Sequence, residues 1–277
     1  MENMERYGSV ILYLVIVFII LFLSKKIADL LTRFDDDLAI DREGNLAVGL
    51  RRFGLYTGIC IALVGIMSEG TSLRNILNFC LSGALVIVLF FATYYINDYV
   101  ILRGVRNNEL VKLGNVPTGL VEAGGFIATG ILLNGAFTGE GGGIASAIVF
   151  FLLGQTIMVL ALTIHQKMYS FNIVEEVKDG NTGAGISVAG ILVSYSIILR
   201  SSIAGNFIAW AEGLGSFLLS AFTGIIALLV FQKLADIIFL PKTTITEGIK
   251  NRNTASLVLV QGITLSLSLA ISRLISF

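Results

Sequence analysis

VKLGNVPTGLVEAGG, from Val111 to Gly125, decides how this chain is read. A lysine, a glycine and an asparagine lead into an apolar run, and a carboxylate, Glu122, sits two turns inside it. The stretch has three relatives in the same chain. DREGNLAVGLRRFG ends at Gly54, VKDGNTGAGISVAG at Gly190 and IKNRNTASLVLVQG at Gly262. Asn45, Asn115, Asn181 and Asn253 align at spacings of 70, 66 and 72 residues. A glycine follows each asparagine nine positions later, a basic residue precedes it by three (Arg42, Lys112, Lys178, Lys250), and the first three copies add Gly49, Gly119 and Gly185. A recurrence of this length marks a supersecondary unit used repeatedly.

Working outward, the 277 residues are 55% hydrophobic and 14% charged, with a mean hydropathy of +0.87, far more apolar than a soluble domain. Windows of about 20 residues mark eight spans: 10–24, 46–67, 77–95, 116–137, 145–164, 183–199, 217–231 and 255–275. Short apolar cores continue into amphipathic tails such as SKKIADLLTRF and QKLADIIFLP, which carry the helices out through the interface. The start MENMERYG lacks the basic opening of a signal peptide, so the first span is read as retained. Lipid cannot satisfy free backbone groups, and no alternating ten-residue pattern of a barrel occurs, so the spans are helices. The expected class is all-α, a polytopic membrane protein with eight transmembrane helices.

Each repeat holds two spans, giving four hairpin repeats over 1–70, 71–138, 139–206 and 207–277. An even number of spans per unit keeps every unit in the same orientation, so the hairpins are parallel, unlike inverted transporter repeats. The preceding helices agree more loosely: KKIAD, YYIND and QKLAD match, while the third copy reads HQKMYS. Fifteen of the nineteen Lys and Arg lie in or beside the loops within hairpins; Arg6, Arg74, Arg200 and Arg273 lie towards the other side. The positive-inside rule then places the hairpin loops in the cytoplasm and both termini outside it. A net charge of zero gives no bulk attraction to nucleic acid.

A helix, a short loop with several acidic residues (TRFDDDLAIDREGN), a GN pair and a glycine-bearing second helix together resemble the bacterial inner-membrane family called domain of unknown function 350, which includes the YjfL-type proteins. Typical members are about half this length, so the chain looks like two such units fused. The fourth copy departs, with RN for GN and Leu257 for the early glycine. The resemblance implies an inner-membrane location and a gene-neighbourhood link to envelope-stress proteins of the phage-shock type. It implies no established activity.

The recurring residues each carry two readings. An asparagine opening a helix is an N-cap; four such helix starts with basic neighbours could also ring a vestibule that favours an anion. Gly54, Gly124, Gly190 and Gly262 let helices approach closely or line a pore. Among intramembrane polar residues Glu122 leads, since a charge at depth is paired or functional. It lies seven residues after Asn115, and the residue seven after Asn45 is Arg52; a shared depth predicts an Arg52–Glu122 pair, structural or gating. Gln155 completes the candidate polar site. Asn134 and Gln261 are candidates for interhelical hydrogen bonding, while Arg200 and Arg273 are near enough to the surface to snorkel. The second helices are expected at the centre, with the first helices facing lipid.

Other features are read as structural. His165 lacks a cluster of ligand spacing, so no metal site is expected, and no cofactor is implied. Cys60 and Cys80 lie in apolar segments as small hydrophobes. The run Asp35 to Asp37 is a solvated loop that could attract a divalent cation or a basic partner. GEGGGIAS, Gly139 to Ser146, is read as a flexible joint between halves. No HExxH, GxSxG or paired-aspartate pattern appears, so an enzyme is not expected. Two functions stay open: a small ion or solute conduit, or a scaffold recruiting a cytoplasmic stress-response protein.

Overall fold

A computed structural model describes residues 2–32, 34–67, 72–96, 101–102, 107–138, 142–169, 171–205 and 207–276, with side chains from residue 8 onward except that of residue 96. Arg33, Asp98, Arg103, Arg106 and the first three residues of the expected glycine joint, 139–141, lie outside these residues. The described part of that joint runs into a helix that starts at Gly143.

Every described element is a helix, in an order that recurs four times: one long, one of six residues, one long. The first set is α1 (Glu2–Leu31), α2 (Asp36–Asp41) and α3 (Leu46–Val64); the second α4 (Leu73–Ile96), α5 (Asn107–Lys112) and α6 (Val116–Phe137). The third is α7 (Gly143–Gln166), α8 (Ile173–Lys178) and α9 (Thr182–Ile203); the fourth α10 (Trp210–Phe239), α11 (Ile245–Lys250) and α12 (Thr254–Ile275). The eight long helices are each long and apolar enough to cross a membrane. The class expected from composition is therefore present, and the amphipathic tails do prolong α1 and α10.

The GN pair builds the corner between each short helix and the long helix after it. Gly44, Gly114 and Gly180 take positive φ angles of 63°, 80° and 77°, the left-handed geometry that ends a helix and that glycine enters without a Cβ penalty. In the second corner the amide of Asn115 reaches back to the Leu110 carbonyl at 2.9 Å, closing the short helix. The asparagine then caps the long helix. Oδ1 of Asn45 accepts from Ala47 N and Val48 N, that of Asn115 from Thr118 N, that of Asn181 from Ala184 N and that of Asn253 from Ser256 N. Where the fourth copy reads RN, Arg252 itself adopts φ 51°.

The second helices lie in a row, α3–α6–α9–α12, and glycine sets their spacing. A methyl group on Gly54 would stand 2.7 Å from the Ala123 carbonyl oxygen, and one on Gly124 2.7 Å from Ala189 Cα. One on Gly119 would stand 2.6 Å from the Ala47 carbonyl, and one on Gly185 2.7 Å from Pro117 Cα. The glycine nine after one asparagine thus meets the residue eight after the next. Gly190 meets the Gln261 side chain in the same way, at 2.5 Å from Oε1. Gly262 does not follow its three counterparts: nothing lies within 4 Å of it. The reason is topological, since α12 stands at the end of the row of described helices.

Burial follows position in the row. Among residues of the most apolar window, 83% are buried in α6 and 67% in α9, against 22% in α1 and 28% in α10. The second helices are central and the first helices peripheral, except that α12, at 33%, is as open as α4. Exposed Phe18, Leu14, Leu81, Phe222 and Ile237 give the periphery an apolar surface suited to lipid.

Candidate functional site

At the loop end the asparagines do more than cap. Nδ2 of Asn45 donates to the carbonyls of Val111 and Lys112, each at 3.0 Å. That of Asn115 donates to Lys178 O at 2.8 Å, and that of Asn181 to Ile249 O at 2.7 Å. Each asparagine therefore caps its own helix with one side-chain atom and ties down the end of the next short helix with the other. The carbonyl ends of α5, α8 and α11 are satisfied this way, and all four loops are held at one end of the row. The sequence showed the cap; the tie to the next hairpin was hidden because the acceptor is a backbone carbonyl about a repeat away.

Beneath this ladder, between the first and second hairpins, lies a buried ionic cluster. Arg51, 3% exposed, donates from Nη2 to both Asp36 carboxylate oxygens at 3.1 and 3.0 Å and from Nη1 to Asn108 Oδ1 at 2.8 Å. Its Nε stands 3.8 Å from Glu122 Oε2, and its guanidinium lies over the Phe34 ring. Tyr94 donates its hydroxyl to the same Asn108 oxygen. Arg52 binds Asp29 and, at 2.6 Å, Asp36. Lys25 then joins Asp29 to Asp37, the latter at 2.6 Å. The Lys25 hydrogen bond holds the Asp37 carboxyl below its ordinary range.

The expected pairing of Arg52 with Glu122 is thus corrected to Arg51 with Glu122. Equal depth was a sound inference, but azimuth decides contact. Parallel repeats place their seventh residues on the same side of each helix, so these residues look in one direction and not at each other. Arg51 is one residue earlier and is turned about 100°, which brings it to the face packed on α6. Gln155 does not join the site either. Gly154 next to it approaches Leu132, ten residues along α6 from Glu122 and so about 15 Å away along the axis. Gln155 is buried with neither amide atom hydrogen-bonded among the described residues.

Two small cavities flank the cluster. One of about 10 Å³ is lined by Glu122, Tyr94, Asn107 and Phe126; the other, of about 20 Å³, by Arg51, Arg52, Tyr94 and Thr32. A cavity near 10–15 Å³ on this measure holds about one water. The acidic run is not uniformly solvated as expected: Asp35, which caps α2, and Asp37 are exposed, while Asp36 is buried in the cluster.

The second half replaces charge by neutral groups. Val188 and Val260 occupy the position of Glu122, and His165, 5% exposed, lies 3.1 Å from the Tyr195 hydroxyl and 3.3 Å from that of Tyr169. Burial pushes the Tyr169 hydroxyl well above its ordinary pKa, so it stays protonated. Among the described residues no group of His, Cys, Asp and Glu has the arrangement of a metal site. Towards the opposite end, Asn134 donates to Ile61 O at 2.8 Å and accepts from Arg200 Nε at 2.7 Å, so Arg200 reaches inward to a partner as well as lying near the surface.

A row of glycine-spaced helices, a loop-end hydrogen-bond ladder and one buried ionic cluster define a multi-pass membrane protein assembled from helical hairpins. The family described as Domain of Unknown Function (DUF350) matches the chain twice, over residues 2–137 and 141–275, and the chain belongs to that family as two units fused. It is 26% identical over 236 residues to a UPF0719 transmembrane protein of Aquifex aeolicus, covering 82% of each chain. No solved structure matches it. The boundary between the matched units falls between α6 and α7, so the ionic cluster belongs to the first unit and the His165 cluster to the second.

Proposed function

We propose that the protein is a conduit for protons or small ions, with Glu122 and Arg51 as the ion-handling pair. The observation that supports this is the buried carboxylate beside an arginine shared with Asp36 and next to cavities of about one water each. Buried charged groups within a membrane span mark ion or proton paths. Cavities of this size favour a proton or a bare ion over a larger solute. The reading assigns no catalytic chemistry. It places the protein in a bacterial inner membrane, with the lysine- and arginine-rich loop end in the cytoplasm and both termini outside.

Purified protein in liposomes with an internal pH dye, under an imposed potential, tests this. Flux is expected from the wild type and its loss from Glu122→Gln with folding retained. Equal flux from Glu122→Gln and wild type, or no flux of protons and small ions from either, removes the reading.

A scaffold reading has its own support in the four short helices aligned at the loop end, with Asp37, Asp41, Glu43, Glu109 and Glu175 towards solvent. Close backbone contacts at Gly54, Gly119, Gly124 and Gly185 hold α3 to α6 and α6 to α9, which also suits a protein that does not transport. On this reading the ladder recruits a cytoplasmic stress-response protein, and a pull-down that depends on these carboxylates distinguishes it from the conduit.

A further inference from the structure

The row of second helices has two unmatched ends. Arg51, Gly54, Leu55, Gly58 and Ile59 of α3 are buried, as are the equivalent positions of α6, where the next hairpin packs. On α12 the same positions are Leu259, Gly262, Ile263, Ser266 and Leu267, and all are exposed or half-buried. A groove of about 670 Å³ runs along them against Phe231 and Ile238 of α10.

At the other end, α3 carries the complementary face without a neighbour. Positions four, eight and fifteen after the asparagine are buried in α6 (Gly119, Ala123, Gly130) and in α12 (Leu257, Gln261, Ser268). On α3 they are Gly49, Phe53 and Cys60, with Phe53 58% exposed and nothing within 4 Å of Gly49. The loop end repeats the pattern. Asn45, Asn115 and Asn181 each reach the short helix of the next hairpin, while Asn253 is exposed and its amide reaches no such carbonyl among the described residues.

We propose that α12 of one copy takes α3 of a second copy, head to tail, so that the row continues from chain to chain. The occupant is a second copy because the same junction already exists inside the chain: α6 ends one family unit, α9 lies in the next, and Gly124 meets Ala189 across them. The junction of α12 with the second copy's α3 joins the end of a unit to the start of a unit in the same register. Gly262 then faces Phe53 of the second copy, Gly49 of the second copy faces Ala255, and the Asn253 amide faces the carbonyl end of the second copy's Asp36–Asp41 helix. Such an interface is heterologous, closing into a ring or running on as a filament according to its rotation. The proposal is independent of whether the protein transports ions.

Cysteine pairing in membranes tests it, in a chain carrying Cys60→Ala and Cys80→Ala. Gly262 and the second copy's Phe53 hold the positions at which Gly190 meets the Gln261 side chain within the chain, so cysteines placed there face each other across the junction. Co-expressed Phe53→Cys and Gly262→Cys chains are expected to cross-link to each other, and neither variant to cross-link alone. Gly262→Trp is expected to fold, because its position is open, and to shift the particle extracted with native lipid to a single 29.8 kDa chain. Cross-linking of either single variant with itself overturns the head-to-tail arrangement. So does a wild-type particle of one chain with no cross-link in the mixed pair.

Discussion

Arg51 of the first hairpin holds Asp36 with two hydrogen bonds and keeps its Nε 3.8 Å from Glu122 of the second. One guanidinium therefore offsets two buried carboxylates from different hairpins, and the order of the first two hairpins is written into that contact. Arg51→Gln leaves both carboxylates without this cation, a loss of the kind that costs about 3–5 kcal/mol. Glu122→Gln keeps the shape and removes one charge, so a smaller effect on stability is expected. Thermal unfolding in one detergent compares them, and a larger loss from Glu122→Gln would contradict the assignment of Arg51 as the shared partner.

Leucine substitutions separate the glycines. Gly54→Leu and Gly124→Leu drive a side chain into a neighbouring backbone and are expected to abolish folding. Gly190→Leu is expected to be milder, because it meets the end of the Gln261 side chain, and Gly262→Leu to fold like the wild type. Monodispersity and helix content after extraction measure this, and equal damage at Gly262 and Gly124 would exclude the row.

The glycine of each GN pair is predicted to be needed for its φ. Gly114→Ala or Gly180→Ala places a Cβ in the left-handed region, at about 1–2 kcal/mol, although nothing within 4 Å crowds either site. Arg252→Gly relieves the same strain and is expected to raise or preserve the unfolding midpoint. A clear fall for Arg252→Gly would show that its hydrogen bond to the Asp179 carbonyl outweighs the backbone term.

Single cysteines at Glu43, Lys112, Asp179 and Thr244, exposed positions at the loop end, are expected to react from the same side of the membrane in a background without Cys60 and Cys80. On the charge bias that side is expected to be the cytoplasm. Labelling of one from the opposite side would break the shared loop end that the asparagine ladder describes.

Acid should loosen the link between α1 and α2. The folded pKa of Asp37 is below its ordinary value of 3.8 because Lys25 donates to it. The stability from this pair is therefore present above that ordinary value and lost as pH falls through the lower folded one. Both side chains are partly exposed, so the contribution is small. Lys25→Met should abolish the depression, read as the Asp37 titration by NMR.

The sequence alone determined the membrane class, the eight spans, the positions of the helix starts and the twofold family architecture. These are readable because hydropathy over a span and cap chemistry at a corner depend on residues adjacent in the chain. Asn45, Asn115, Asn181 and Asn253 announce helix starts locally, and Gly54, Gly124 and Gly190 announce close approach. Which residue fills each approach was decided only in three dimensions. Depth along a helix can be counted from sequence, but the direction a side chain takes around the axis matters only relative to a neighbour. That is why Arg51 and not Arg52 meets Glu122, why Gln155 stands apart, and why Gly262, with the same spacing as its counterparts, faces open space at the end of a row.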